Sequence, residues 1–374
     1  MKLKKMASEL KETLHFIVSL EFWRMAIFWT ISLIASYFEL YFQNMFGRSS
    51  HPYPHCFPPT SGIARPLCVI TGATSGLGEA AAYALSREGF FVVLAGRSSK
   101  LLSKTVERIN KQNRDAQVKA FEVDLTSFQS IIKFKGSLEK WLLDSDMHSS
   151  IQLLINNAGI LATSQRLTTE GYDEMMVTNY VGLFSLTKLL LPLLRNSPIE
   201  SRIVNVTSFT HRSVFNVQVD KETVSGKCFS TYKFYPYAHI YEYSKLCILL
   251  FSYELHRQLR LMDESCHVSV NAADPGVVKT NIMREVPFCL SSVAFIVLKL
   301  LGLLQLPDNG VSSILDAALA PPETSAVYFF GGKGRILKSS ALSRDISLAE
   351  KLWTTSCDIF ENLKLNSKEK RQFS

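Results

Sequence analysis

Leu67-Cys68-Val69-Ile70-Thr71-Gly72-Ala73-Thr74-Ser75-Gly76-Leu77-Gly78 is the stretch on which the fold turns. A short apolar run ends in a glycine-rich turn, and Glu79 to Arg87 then brings helix-forming residues with small apolar neighbours. The order is strand, turn, helix. Glycines at 72, 76 and 78 allow a tight bend and a close approach of backbone amides to a pyrophosphate at the helix N-terminus. Thr74, Ser75 and Leu77 lie in the same turn and share its expected cofactor contact.

Working outward, Phe90-Phe91-Val92-Val93-Leu94-Ala95 reads as the second strand and ends at Gly96-Arg97-Ser98. A dinucleotide site that prefers NAD commonly places an acid here for the ribose hydroxyls. Arg97 stands there instead, and a guanidinium suits a 2′-phosphate, so NADP(H) is preferred with NAD(H) as the alternative. Phe121 to Leu125 reads as a third strand with Asp124 at its tip, and Ile151 to Gly159 as a fourth, ending in Asn156-Asn157-Ala158-Gly159. Strands alternating with helical segments imply an α/β, doubly wound parallel sheet of Rossmann type.

Arg202-Ile203-Val204-Asn205-Val206-Thr207-Ser208 reads as the fifth strand and delivers Ser208 to the carboxyl edge of the sheet, where open α/β folds bind ligands. Downstream, Tyr241-Glu242-Tyr243-Ser244-Lys245 puts Tyr241 and Lys245 four apart, on one face of a helix. An ammonium beside a phenol favours the phenolate and makes the hydroxyl a usable acid and base.

In order, Thr71–Gly78, Asn156–Gly159, the serine after the fifth strand, Tyr241 with Lys245, and Pro275-Gly276 resemble the short-chain dehydrogenase/reductase family, over roughly Leu67 to Leu363. Arg202–Ser208, Asp274–Thr280 and Ala349–Trp353 are similar to its retinol-dehydrogenase-like branch. The resemblance implies that Ser208 and Tyr241 hold the reacting oxygen, that Tyr241 transfers the proton, and that Lys245 lowers the phenol's pKa and binds the nicotinamide ribose. It further implies that Asn179 supports a proton-relay water. Asp124 and Asn157 would line the adenosine side, Pro275, Gly276 and Val278 would flank the nicotinamide, and Thr280 would approach the diphosphate. The implied activity interconverts a lipophilic alcohol and its aldehyde or ketone, of retinoid, polyisoprenoid or steroid type. The rival is a membrane-tethered NADP(H)-binding sensor or scaffold without catalysis. Ser208 and Tyr241 are 33 positions apart, more than in the family's short members, and the insertion 209–240 carries Phe215, Phe229, Tyr232, Phe234, Tyr235 and Tyr237. It is expected to be a lid over a lipophilic substrate.

The whole chain has 374 residues, a formal net charge of +8 and 47% hydrophobic residues. Its mean hydropathy of +0.10 is high for a soluble enzyme. Met25 to Phe38 is uncharged, and apolar character resumes after Glu39 up to Phe46. About 20 apolar residues are needed to span a bilayer, so this segment reads as a retained anchor, either spanning or lying in the plane. Lys2, Lys4, Lys5, Lys11 and Arg24 before it favour a cytosolic N-terminus. A proline-rich linker follows. The second apolar run, 286–307, is open between a core helix and a membrane or substrate contact. The expected organisation is anchor 1–46, linker 47–66, a single catalytic domain 67–363 and a polar tail 364–374. Seven scattered cysteines without paired spacing argue against a disulfide scaffold or a metal site. The diffuse basic excess argues against a nucleic-acid partner. Membrane and lipophilic small molecule are the expected partners, with a homo-oligomer left open. The endoplasmic reticulum is the expected location, with chloroplast or lipid-droplet membrane as alternatives.

Overall fold

The computed structural model describes residues 11, 13–46, 53–56, 65–145, 147–263 and 266–372. Its centre is a parallel sheet of seven strands in the order β3-β2-β1-β4-β5-β6-β9. The strands are β1 Leu67–Thr71, β2 Phe91–Gly96, β3 Gln117–Glu122, β4 Leu153–Asn156, β5 Ser201–Val206, β6 Val268–Asp274 and β9 Tyr328–Phe330. A separate pair, β7 Val277–Val278 with β8 Leu304–Gln305, lies beyond β6. β1, β4, β5 and β6 are buried throughout, and β1 and β4 accordingly read as near-continuous apolar runs, while β5 and β6 also bury polar residues such as Arg202, Asn205 and Asn271. The chain reverses its winding direction between β1 and β4, and this opens a crevice at the carboxyl ends of those strands.

Two apolar layers sandwich the sheet. One holds Val69, Leu154, Ile203 and Val270 with residues of the helices that follow β3, β4 and β5. The other holds Cys68, Ile70, Val92 and Ile155 with helices near β1 and β9. The helices used below are α1, which runs through Leu20–Arg24, a π turn at Met25–Trp29, and Thr30–Met45; α2 Gly76–Arg87; α3 Ser99–Gln112; α4 Phe128–Asp144; α5 Gly182–Arg195; α6 Tyr237–Met262; α7 Phe288–Leu300; α8 Ser312–Ala318; and α9 Ile346–Gln372. Ser98 and Ser127 cap α3 and α4 by accepting from Leu101 N and Ser130 N, at 3.4 and 3.3 Å.

Several expected boundaries move. β3 ends at Glu122, so Asp124 stands two residues beyond its tip. The polar stretch 364–374 is no tail as far as Gln372, because α9 continues there and Gln129 donates to Ser367 O at 2.8 Å. The insertion 209–240 is folded down: Val214, Val219, Val224 and Phe229 are buried in the main core, while Phe215, Tyr232 and Phe234 stay exposed. Of the linker, only 53–56 is described. His55 pairs there with Asp316 at 2.9 Å and Tyr53 packs on Phe329. The rest of the linker and most of 1–12 lie outside the described residues.

α1 is bound to the catalytic domain along its length. Ser32 meets Ser213 at 2.9 Å, Glu39 pairs with Arg212 at 3.3 Å, and Leu33 and Leu40 sit in a cluster with Phe209, Leu249 and Phe330. Serines at 32 and 36, both buried, let the helix approach closely. Its opposite face exposes Ile27, Ile31, Ile34, Phe38, Tyr41 and Met45. α7 is likewise no core helix: only Ser291 is buried, and Phe288, Val293, Ile296 and Leu300 are exposed.

Candidate active site

The glycine turn sits where β1 stops and α2 begins. Gly72 and Gly76 have φ of +64° and +56°, a region that side chains with a Cβ rarely enter. Gly78 has φ in the ordinary range but no space: a Cβ there would collide with Gly72 O and the Asn157 carboxamide. Ser75 is extended at the N-cap and contributes no side-chain bond, which leaves the first-turn amides of α2 open toward the crevice. Thr280 lies against this turn, its Cγ2 3.1 Å from where a Gly76 Cβ would be. Its hydroxyl caps a short turn by accepting from Ile282 N.

Asn157 and Ala158 hold the turn in place from β4. The Asn157 carboxamide donates to Thr71 O at 2.9 Å, and the backbone amides of Asn157 and Ala158 donate to Thr71 Oγ1 at 3.0 and 3.1 Å. Asn157 therefore acts first on the turn itself. Thr74 packs near Gly96, and Arg97, half-exposed at the end of β2, lies 3.6 Å from Glu174. Asp124 caps its own turn, accepting from Thr126 N and Oγ1 at 2.9 and 2.8 Å. Gly276, with φ of +69°, and Val278 carry the chain past β6, where Gln305 donates to Pro275 O at 3.0 Å. A positive-φ turn feeding a helix N-terminus, with no room for a side chain and an arginine at the neighbouring strand end, fits a nicotinamide dinucleotide.

Ser208, Tyr241, Lys245 and Asn179 converge beside that cradle. Ser208 stands two residues past β5, and Thr210 N donates to its hydroxyl at 3.3 Å. His211, fully buried and with its pKa pushed down to about 3 by that burial, is a neutral ring. Its Nδ1 donates to Ser208 O at 2.7 Å and its Nε2 accepts from Ser340 N at 3.1 Å, fixing both tautomer and loop. Asn179 lies in a π turn, Val177–Val181, completely buried. Its carboxamide accepts from Ile160 N at 2.8 Å and donates to Ile160 O and Ser244 Oγ, and this joins the loop after β4 to α6. A Cβ on Gly159 would stand 3.4 Å from Asn179 Oδ1 and 3.5 Å from Lys245 Nζ, so these three residues meet at one point.

Lys245 is buried, donates to Val206 O at 3.3 Å and lies 5.5 Å from the Tyr241 ring centroid. Burial brings its pKa down to about 8, held up in part by the Asp274 carboxylate. Burial pushes the Tyr241 phenol above its ordinary range, Asp274 adds to this, and a hydrogen bond with Ser208 pulls it back. Burial dominates in this structure: the phenol stays protonated at neutral pH, the form a proton donor needs.

Asp274 has no role that the sequence alone assigns. It is fully buried, accepts from Tyr328 OH at 2.6 Å and Gly276 N at 2.8 Å, and has its pKa raised to about 6 by burial. Its only sequence signal is an acid closing the strand-like stretch Val268–Ala273. Trp29 and Glu242 were also missed. Trp29 lies 5.5 Å from the Tyr241 ring, centroid to centroid, and donates from Nε1 to Glu242 Oε1 at 2.7 Å.

A doubly wound sheet whose carboxyl edge gathers a dinucleotide turn with a serine, a tyrosine and a lysine defines a nicotinamide-dependent oxidoreductase acting on CH–OH groups. The family model of short chain dehydrogenases matches residues 67–219, and the chain belongs to that family, in its retinol-dehydrogenase-like branch. It is 33% identical to human polyprenol dehydrogenase over 310 residues, 81% of this chain and 86% of that protein. It is 29% identical to human retinol dehydrogenase 11, covering 80% and 88% of the two chains. The crystal structure of an uncharacterised protein from Mycobacterium paratuberculosis superposes with a TM-score of 0.59 at 28% identity, covering 82% of this chain and 96% of that one.

Proposed function

We propose that this protein is a membrane-associated, NADP(H)-dependent oxidoreductase interconverting a long-chain lipophilic alcohol and its carbonyl compound. Polyisoprenoid or retinoid compounds are the favoured class, in keeping with the names of its relatives. The observation that carries the reading is α1, which packs beside Tyr241 through Trp29 and exposes an apolar outer face, with a second exposed apolar helix in α7. An apolar helix face left exposed has no aqueous purpose. A bilayer is the medium that accepts it.

Because polar contacts from Arg24 to Glu39 bind α1 to the catalytic domain, the in-plane arrangement is favoured over the span. The endoplasmic reticulum membrane is the favoured location. Asn205 of the sequence Asn205-Val206-Thr207 is buried in β5 and reports no topology.

When bound, the dinucleotide supplies or accepts a hydride at the reacting carbon. The remaining work belongs to the chain. Ser208 and Tyr241 hold the oxygen, Tyr241 gives it a proton during reduction, and Lys245 keeps positive charge at the phenol's side of the site. The direct test incubates detergent-extracted protein with NADPH deuterated on its transferable hydride and a total lipid extract. Deuterated lipid alcohols are the expected product. No label, with dinucleotide binding intact and oxidation with NADP+ also silent, would leave the non-catalytic scaffold.

NADP(H) preference is assigned to Arg97. Glu174, which also pairs with Arg166, faces that guanidinium at 3.6 Å, a long contact at a half-exposed arginine that a phosphate can displace. Arg97→Ala is expected to raise KM for NADPH about tenfold or more, with KM for NADH much less affected. Equal changes in both would remove Arg97 from the 2′-phosphate site.

A further inference from the structure

We propose that α1 is a wall of the active site as well as an anchor, and that Trp29 is a specificity-determining residue against which the substrate's hydrocarbon chain lies beside Tyr241. The inference rests on the oxidoreductase reading above and adds to it the part of the chain that selects the substrate.

Anchoring alone needs only the outer face of α1. The inner face is built for something more specific, since Glu21, Arg24 and Trp29 in its first half are aimed at the helix that carries Tyr241. Glu21 accepts from Ala238 N and His239 N at 2.9 and 3.3 Å, capping an α6 whose own N-cap, Pro236, contributes no side-chain bond. Glu242, the residue after Tyr241, is fully buried and receives Arg24 Nε at 2.8 Å together with the Trp29 indole N–H. Arg24 also donates to Ser213 O at 3.0 Å, past Ser208. A buried carboxylate is costly unless it is bonded on all sides, so Glu242 and Arg24 fix the indole in one orientation. Farther along the helix, the Tyr37 hydroxyl lies 3.4 Å from where a Gly276 Cβ would be. α1 therefore runs from Tyr241 to the turn after β6.

Stereochemistry completes the argument. The reacting oxygen must come within hydrogen-bond reach of Tyr241 and Ser208, so the carbon chain must leave past the groups around the phenol. Lys245 belongs to the cradle with Gly159 and Asn179. Trp29 is the flat apolar surface contributed from the membrane-facing helix. An indole held by its N–H presents such a surface to a branched or conjugated chain.

The test uses the full-length protein in detergent with NADPH and two aldehydes of the same head-group chemistry, farnesal and the short prenal. Trp29→Ala is expected to lower the farnesal-to-prenal ratio of kcat/KM about tenfold, chiefly through the KM for farnesal, and Trp29→Phe to restore most of it. An unchanged ratio, whether both rates fall together or neither falls, overturns the proposal. Folding of each variant is checked by its thermal transition. A second readout does not need turnover: a diazirine-bearing farnesol is photolysed on the wild-type protein and the labelled residues are located by mass spectrometry. Label at Trp29 is expected. Label confined to Ile31, Ile34 and Phe38 on the outer face overturns the proposal. Label at Trp29 in a protein that reduces neither aldehyde and oxidises neither alcohol would overturn the oxidoreductase reading and leave the chain-binding wall in place.

Discussion

Replacing Tyr241 by phenylalanine is expected to lower kcat for carbonyl reduction about 10³-fold while dinucleotide affinity changes little. The substitution removes one oxygen. The ring keeps its packing against Trp29 and its place 5.5 Å from Lys245 Nζ, so the cradle formed by Gly159, Asn179 and Lys245 has no cause to move. What disappears is the proton that burial and Asp274 hold on the phenol. General acid catalysis by a positioned group contributes typically 10²–10⁴-fold, and the loss should fall on kcat rather than KM because it acts in the transition state. Ser208 cannot take over as proton donor, since an aliphatic hydroxyl is a far weaker acid than a phenol; its part is to hold the oxygen. Single-turnover rates with saturating NADPH measure the effect, and fluorescence titration of the dinucleotide measures binding. A kcat within about tenfold of wild type would show that the proton comes from elsewhere.

The sequence made the sheet legible because its central strands are buried on both faces, so Leu67–Thr71 and Leu153–Asn156 read as apolar runs between turn residues. The glycine turn, Ser208, and Tyr241 with Lys245 were legible because each depends on local geometry: a backbone bend, a strand end, one helical turn. Asp274, Glu242 and Trp29 were not, because their meaning is made by distant partners. Trp29 and Glu242 are 213 positions apart, and no periodicity in either segment announces that they meet. The same holds for α1. Its composition spoke of lipid, and that part of the reading concerned the outer face. Glu39, the one interruption of the apolar segment, helps to bind it to the catalytic domain, together with Ser32 and Arg24. The aromatic insertion 209–240 reads as a lid, and in the fold its apolar residues divide: Val214, Val219, Val224 and Phe229 serve the core, while Phe215, Tyr232 and Phe234 stay exposed.

Asp274→Asn is expected to shift the alkaline limb of the reduction profile toward acid by about one pH unit, while Asp274→Ala costs about 3–5 kcal/mol of stability. The carboxylate is buried and accepts from Tyr328 OH and Gly276 N. Alanine leaves both donors without an acceptor, leaves the buried Lys245 ammonium without its counter-charge, and opens a void. Asparagine keeps the shape: its carbonyl can accept from Gly276 N, and the Tyr328 hydroxyl can turn to accept from its amide. What asparagine removes is charge, and the sign of the consequence follows from the two groups that feel it. The Asp274 carboxylate raises Lys245, whose pKa stands at about 8, and raises the Tyr241 phenol. Without it both fall. Reduction needs Lys245 charged and Tyr241 protonated, conditions that are met below their pKa values and lost as pH rises through them, so activity must fail at lower pH than in the wild type. Steady-state kcat from pH 6 to 10 reads the shift, and urea unfolding of the alanine variant reads the stability. An alkaline limb that stays in place in Asp274→Asn would mean that Asp274 only braces the turn at Pro275-Gly276, and that the charge balance of the site is set by the burial of Lys245 alone.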